Sequence, residues 1–126
     1  MIKDFLIISC IGQDDKLGLR INKDFFIHNF DSNRGNEKLV AEIFNLLELH
    51  KVKLDNDFSV IVNQGPGSFS GTRVSIAVVK GLKISKKVKI FGYKNTDLLG
   101  FNQKNIEKML QKNLIEKNLI KPIYLS

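Results

Sequence analysis

Gly65-Pro-Gly-Ser-Phe-Ser-Gly-Thr-Arg73 gathers three glycines, three hydroxyls and a guanidinium into nine residues. It follows the β-branched run Val60-Ile61-Val62, which reads as a buried strand, and precedes an apolar stretch with helical spacing. A strand, a glycine-rich turn and a helix N-terminus make an anion site, because free backbone N–H groups and the helix dipole point at the turn. Pro66 restricts one φ while Gly65 and Gly67 permit positive φ, so the turn is shaped. Two standard phosphate-binding patterns are nevertheless incomplete. Gly71 is followed by Thr72-Arg73 where a P-loop needs Lys and Ser/Thr, and the third glycine comes one residue late for a dinucleotide fingerprint. A tight turn that seats a helix on a sheet satisfies the same residues, so both readings stand.

The remaining reactive side chains form no catalytic set. His28 lies in a strand and His50 at a helix end, with no Cys or carboxylate cluster at metal-ligand spacing, so neither a catalytic nor a metal residue is assigned. Ser68 and Ser70 have no partner to act as general base. Asp14-Asp15 and Asp55-Asp57 read as solvated turn residues, and Cys10, at the end of an apolar strand, as a buried inert thiol.

These residues must be held by a small α/β domain. Residues 4–11, 17–21 and 25–30 read as strands, with the polar turn Asn22-Lys23-Asp24 between the last two. Three strands joined by tight turns before any helix make a β-meander, which is not how a doubly wound dinucleotide fold begins. A helix follows over about 36–50, with Leu39, Val40, Ile43 and Leu47 as its core stripe and Phe44 and Leu46 on the flanks. In the helix after the glycine turn, Val74, Ala77, Val78, Gly81 and Leu82 read as the sheet-facing side, the small residues allowing close approach. Ile76 and Val79, beside Lys80 and Lys83, then face outward as a protein-contact surface. Residues 86–92 read as a closing strand, Thr96 and Asp97 as a helix cap, 102–118 as one amphipathic helix, and 120–126 as an extended tail.

A length of 126 residues with 43% hydrophobic content suits one domain with a core. The net charge of +7 favours acidic partners, nucleic acid first among them. It equally reflects a chain rich in Lys, Ile and Asn throughout. A single cysteine suits a reducing, cytoplasmic compartment, and no apolar run is long enough to cross a membrane.

The block of residues 65–73 resembles the Gly-Pro-Gly-Ser-Phe-Thr-Gly-x-Arg signature of the TsaB (YeaZ) family, bacterial partners in making threonylcarbamoyladenosine on tRNA, with Ser70 in place of Thr. Arg34 to Leu39 resembles the start of that family's first helix, and Pro122-Ile-Tyr-Leu125 its C-terminal Pro-x-Tyr-Leu ending. The resemblance implies a ribonuclease-H-like (actin-like, ASKHA) α/β domain, in which a three-stranded antiparallel meander precedes α-β-α-β. Family members are nearly twice as long. An N-terminal domain over 1–100 is therefore expected, with a reduced helical segment and tail at 101–126 packed on it in place of a second domain. Ser9 stands about where the family carries an Asp, which removes the natural Mg²⁺ ligand of this fold superfamily.

By the same resemblance the chain is a non-catalytic subunit that binds and organises the catalytic subunit TsaD, with TsaE and a second copy as further partners and tRNA reached indirectly. It implies no cofactor of the chain's own, leaving ATP or ADP only at the partner interface. Phe44, Leu46, Ser75, Ile76, Val79, Lys80 and Lys83 would form that interface. Gly65, Pro66, Gly67, Ser68, Phe69, Ser70, Gly71 and Arg73 would form the signature loop and any nucleotide contact. The alternatives are a phosphotransferase or ATPase using the glycine loop, and a basic RNA-binding module.

Overall fold

The computed structural model describes residues 2–12, 14–30 and 36–123, without the side chains of residues 36 and 37. Five strands form one sheet in the order β3-β2-β1-β4-β5. They are β1 (Phe5–Ser9), β2 (Lys16–Ile21), β3 (Asp24–Asn29), β4 (Ser59–Asn63) and β5 (Lys89–Tyr93), interleaved with helices α1 (Asn36–Leu49), α2 (Phe69–Lys86) and α3 (Gln103–Gln111). The meander β1-β2-β3 is antiparallel, whereas β1-β4 and β4-β5 are parallel. Asn22 and Lys23 both take positive φ in the β2-β3 turn, which matches the twist of a two-residue hairpin. This is the mixed α/β architecture that the meander and the family resemblance implied.

Both faces of the sheet are covered. Leu6, Ile8, Val60 and Val62 turn to one side, where they pack with Leu39, Ile43 and Leu47 of α1 and Ile76, Val79 and Leu82 of α2. Phe5, Ile7 and Ile61, the alternate positions of the same strands, turn to the other side and pack with Tyr93 and with Ile106 and Met109 of α3. A central strand buried on both faces reads as an unbroken apolar run, which is why β1 and β4 show no alternation in sequence.

Two local expectations are corrected. Thr96 and Asp97 cap no long helix; Asn95–Asp97 is a single 3₁₀ turn whose cap position, Lys94, makes no side-chain bond. The helix read over 102–118 ends at Gln111, because Asn113 adopts φ 57° and the chain reverses. Glu116 then pairs with Gly92 through two backbone hydrogen bonds of 2.7 and 2.8 Å, covering part of the β5 edge that would otherwise stay unpaired. The tail is tied down at its start, since Ile123 N donates to Gln64 O at 2.8 Å. Tyr124 and Leu125 of the proposed family ending, and Arg34 of the first-helix motif, lie outside the described residues.

α2 is closed at its C-terminus by Lys87 in the left-handed region, its N–H bonding Lys83 O. Gly81, near that end, faces open space, and a Cβ there would meet nothing within 4 Å. Gly81→Ala is therefore expected to raise stability by roughly 0.5–1 kcal/mol through helix propensity alone, read as a higher urea midpoint with an unchanged slope.

Candidate functional site

The signature loop spans the gap between β4 and α2, and its glycines are spent on packing against the β1-β2 connection. A Cβ at Gly67 would lie 2.5 Å from Ile11 Cβ, one at Gly71 2.8 Å from Cys10 O, and one at Gly12 2.5 Å from Ser68 Cβ. The two loops are in backbone contact, and Ser68 N donates to Ile11 O at 2.7 Å. Ser68 is also the N-cap of α2, its Oγ accepting from Gly71 N at 3.2 Å. Gly65, at φ 97°, donates its N–H to Asn63 Oδ1 at 2.8 Å, and the Gly65-Pro66 peptide is cis. The N–H groups of Gly65, Ser68 and Gly71 are thus satisfied within the protein. The turn thereby seats α2 on the β1-β2 connection.

Asn63, at the end of β4, is the hub of the arrangement. Its Nδ2 donates to Ser9 Oγ at 3.2 Å and to Asn95 Oδ1 at 3.0 Å while its Oδ1 accepts from Gly65, so all of its hydrogen-bonding groups are used. Asn95 returns the tie, its N–H donating to Gly65 O at 2.8 Å. Ser9 is the last residue of β1, at the carboxyl end of the parallel strands where α/β folds place ligands. There it carries a neutral hydroxyl already bonded to an amide. A Mg²⁺ ion would find no carboxylate at Ser9, and three of the loop's N–H donors, those of Gly65, Ser68 and Gly71, are already engaged. The Tyr93 hydroxyl lies beside Ser9 and Asn63 in the same region, in no hydrogen bond of full geometry. Burial drives its ionisation far upward.

Asp15 departs from the expectation of a solvated turn residue. It is buried and accepts from Gly12 N at 3.2 Å, holding the loop against which Ser68 rests. Burial, then the nearby Asp15 charge, pushes the Cys10 thiol far upward, so it is poorly disposed to act as a nucleophile. The histidines are structural. His28 bonds Glu42 and so joins β3 to α1, and the His50 ring stacks on Phe26 at 4.0 Å. Lys38 and His28 together hold the Glu42 carboxyl below its usual range, opposed by partial burial. Among the described residues no three His, Cys, Asp or Glu side chains group to hold a metal ion, and no helix is long and apolar enough to cross a membrane.

The outward face of α2 is the opposite of the one read from sequence. Ile76 is 3% exposed, Val79 0%, and Ser75 is fully buried; these three face the sheet with Thr72 and Leu82. Leu46 of α1 is buried as well. Ala77 and Gly81 are exposed and Val74 and Val78 half-buried. Two polar residues in the buried stripe concealed it: Thr72 and Ser75 look like surface residues, but Ser75 Oγ donates to Thr72 O at 3.0 Å within the helix and needs no water. Of the predicted contact residues, Phe44, Lys80 and Lys83 are exposed.

The face that α2 does present carries a groove of about 480 Å³ lined by Phe69, Ser70, Arg73, Val74, Ala77 and Val78. Phe69 is 59% exposed, with the Arg73 guanidinium 5.0 Å above its ring. Arg73, assigned from the signature to a possible nucleotide, therefore covers an aromatic ring on the outer surface. Alongside, α1 exposes Val40 and Phe44.

The fold is that of solved YeaZ proteins. YeaZ from Pseudomonas aeruginosa superposes with a TM-score of 0.69 at 18% identity, over 89% of this chain and 50% of that one. A second structure, described as an uncharacterized protein with similarity to peptidase YEAZ from Pseudomonas aeruginosa, gives 0.69 at 18%, over 88% and 49%. Sequence comparison finds the tRNA threonylcarbamoyladenosine biosynthesis protein TsaB of Buchnera aphidicola subsp. Schizaphis graminum (strain Sg), 29% identical over 113 residues, 87% of this chain and 53% of that protein. This chain is similar to TsaB (YeaZ) proteins in sequence and in fold. No family model matches it. The chain spans about half the length of the TsaB and YeaZ proteins it matches. Within that TsaB-like half, the signature block forms the α2 seat.

Proposed function

We propose that this chain acts in tRNA threonylcarbamoyladenosine biosynthesis as a non-catalytic docking subunit that binds and organises TsaD. The observation that carries the reading is the unburied apolar face of the neighbouring helices α1 and α2. Val40 and Phe44 of α1 and Ile84 of α2 are exposed, and Phe69 and Ala77 line the α2 groove. Exposed apolar residues are ordinary singly, but several on two helices that touch each other, beside a groove, support a protein contact. Ala77 and Gly81 leave the helix backbone open to close approach by a partner helix, and Lys80 and Lys83 supply a polar rim. Binding here works by complementarity and involves no step of chemistry in this chain. TsaE, a second copy of the chain and a nucleotide at the partner interface belong to the same proposal as further occupants of the complex.

The test is size-exclusion chromatography with TsaD from the same source. The parent chain is expected to co-elute with TsaD, and Ala77→Asp to elute alone with its fold intact, because a carboxylate at the centre of a closed apolar contact weakens it by about 100-fold or more. Co-elution of Ala77→Asp with undiminished affinity overturns this placing of the face. Separate elution of the parent overturns the partner itself.

A further inference from the structure

We propose that a second groove, between the sheet and α3, binds a segment of single-stranded RNA directly. It encloses about 960 Å³ and lies where β1, β4 and β5 begin. Its floor is apolar, with Phe91, Leu110 and Ile115 partly buried in it. Its rim is cationic: Lys3, Lys89 and Lys117 are exposed, and none of them has an ion pair among the described residues. The period of two along β5 puts Lys89 and Phe91 on one face, so charge and ring are adjacent by construction. The acidic residues of the groove offset this little. Glu107 is committed to Arg20 at 3.2 Å, which leaves Asp57 alone against three lysines.

A flat apolar floor beneath unpaired cations fits an unstacked base with its phosphates, the combination that single-strand binding sites use. Two features favour this over an acidic peptide. Gln111 and Asn113 also line the groove and supply amide donors and acceptors of the kind that read base edges. Arg20 lines the groove as well and adds a further cation beside the three lysines, as a chain of phosphates requires. This surface lies at the opposite ends of the strands from the signature loop and against the opposite face of the sheet from α2. It is therefore independent of the docking reading, and both contacts can form at once.

The experiment is fluorescence anisotropy of a labelled mixed-sequence RNA ten-mer with the isolated chain, in parallel with its duplex form and with polyglutamate. The single strand is expected to bind about tenfold tighter than the duplex. Three phosphate contacts at about −0.7 each predict a slope of log affinity on log salt near −2. The triple variant Lys3→Glu, Lys89→Glu, Lys117→Glu should weaken binding about tenfold more than Lys23→Glu, Lys94→Glu, Lys121→Glu, which makes the same charge change on exposed residues elsewhere. Phe91→Leu, with its fold checked by thermal melting, should lose about tenfold through stacking and leave the salt slope unchanged. Equal losses in the two triple variants, equal affinity for polyglutamate or duplex, or no binding would each overturn the site. So would a homodimer, seen by light scattering, that the first triple variant dissociates, since a second copy would then fill the groove.

Discussion

Ile76→Asp is expected to remove the folded state altogether, while Ala77→Asp, one residue along, leaves it. Ile76 is 3% exposed in the core between α2 and the sheet, surrounded by residues of β1, β4 and α1. Truncating a buried isoleucine costs about 2–5 kcal/mol, and a carboxylate left there without a partner adds several more. The sum reaches the whole stability of a domain of this size, about 5–15 kcal/mol. Ala77 is exposed on the opposite side and loses only about 0.5 kcal/mol of helix propensity on becoming Asp. Circular dichroism through a thermal melt distinguishes them: no cooperative transition for Ile76→Asp, and a midpoint within about 3 °C of the parent for Ala77→Asp. A cooperative melt for Ile76→Asp would return that residue to the surface, and with it the contact face first read from the sequence.

Asn63→Ala should cost about 3 kcal/mol, far more than truncating an ordinary polar residue. The substitution removes three hydrogen bonds at once and strands their partners: the hydroxyl of Ser9, the N–H of Gly65 and the side-chain carbonyl of Asn95. Gly65 N is buried, so water does not replace the lost acceptor, and the desolvation cost falls in full. The expected drop in Tm is roughly 10 °C. Asn95→Ala, which takes away a single partner of Asn63, should lose only about 1 kcal/mol. Because Asn63 holds the loop that seats α2, the first variant should also loosen the start of that helix, seen as faster amide exchange in its first turns. Equal and small effects from the two substitutions would show that the loop is held by its glycine packing and that the hub contributes little.

Much of the sheet was legible because β1 and β4 are short, β-branched and bounded by turn residues, and because the Asn22-Lys23-Asp24 turn leaves little choice of pairing partner. The loop was legible as a shaped turn, since three glycines in seven residues are hard to place otherwise. Its purpose was not legible. The space that Gly12, Gly67 and Gly71 leave empty is filled by Ser68, by Ile11 and by the backbone of Cys10, and no local signal distinguishes a glycine kept for a ligand from one kept for another loop. Asn63 was missed as a support because Ser9 and Asn95 meet it from far along the chain, and Asp15 because only packing buries a residue that reads as a turn. The helix at 102–118 was overextended because the Lys and Asn after Gln111 suit a helix surface as well as a turn.

The residues alone determined the α/β class, the antiparallel meander, the position of each main element and, through the signature block, the likeness to TsaB. These follow from short-range chemistry: β-branched runs, turn formers, caps and a nine-residue pattern. Tertiary structure decided which side of α2 meets the sheet, because the helix carries two apolar stripes about half a turn apart and only packing against β1, β4 and α1 selects between them. It also decided how the glycine loop is held, because the groups that engage the N–H donors of Ser68 and Gly65 come from residues 11 and 63, and that of Gly71 is met from within the loop.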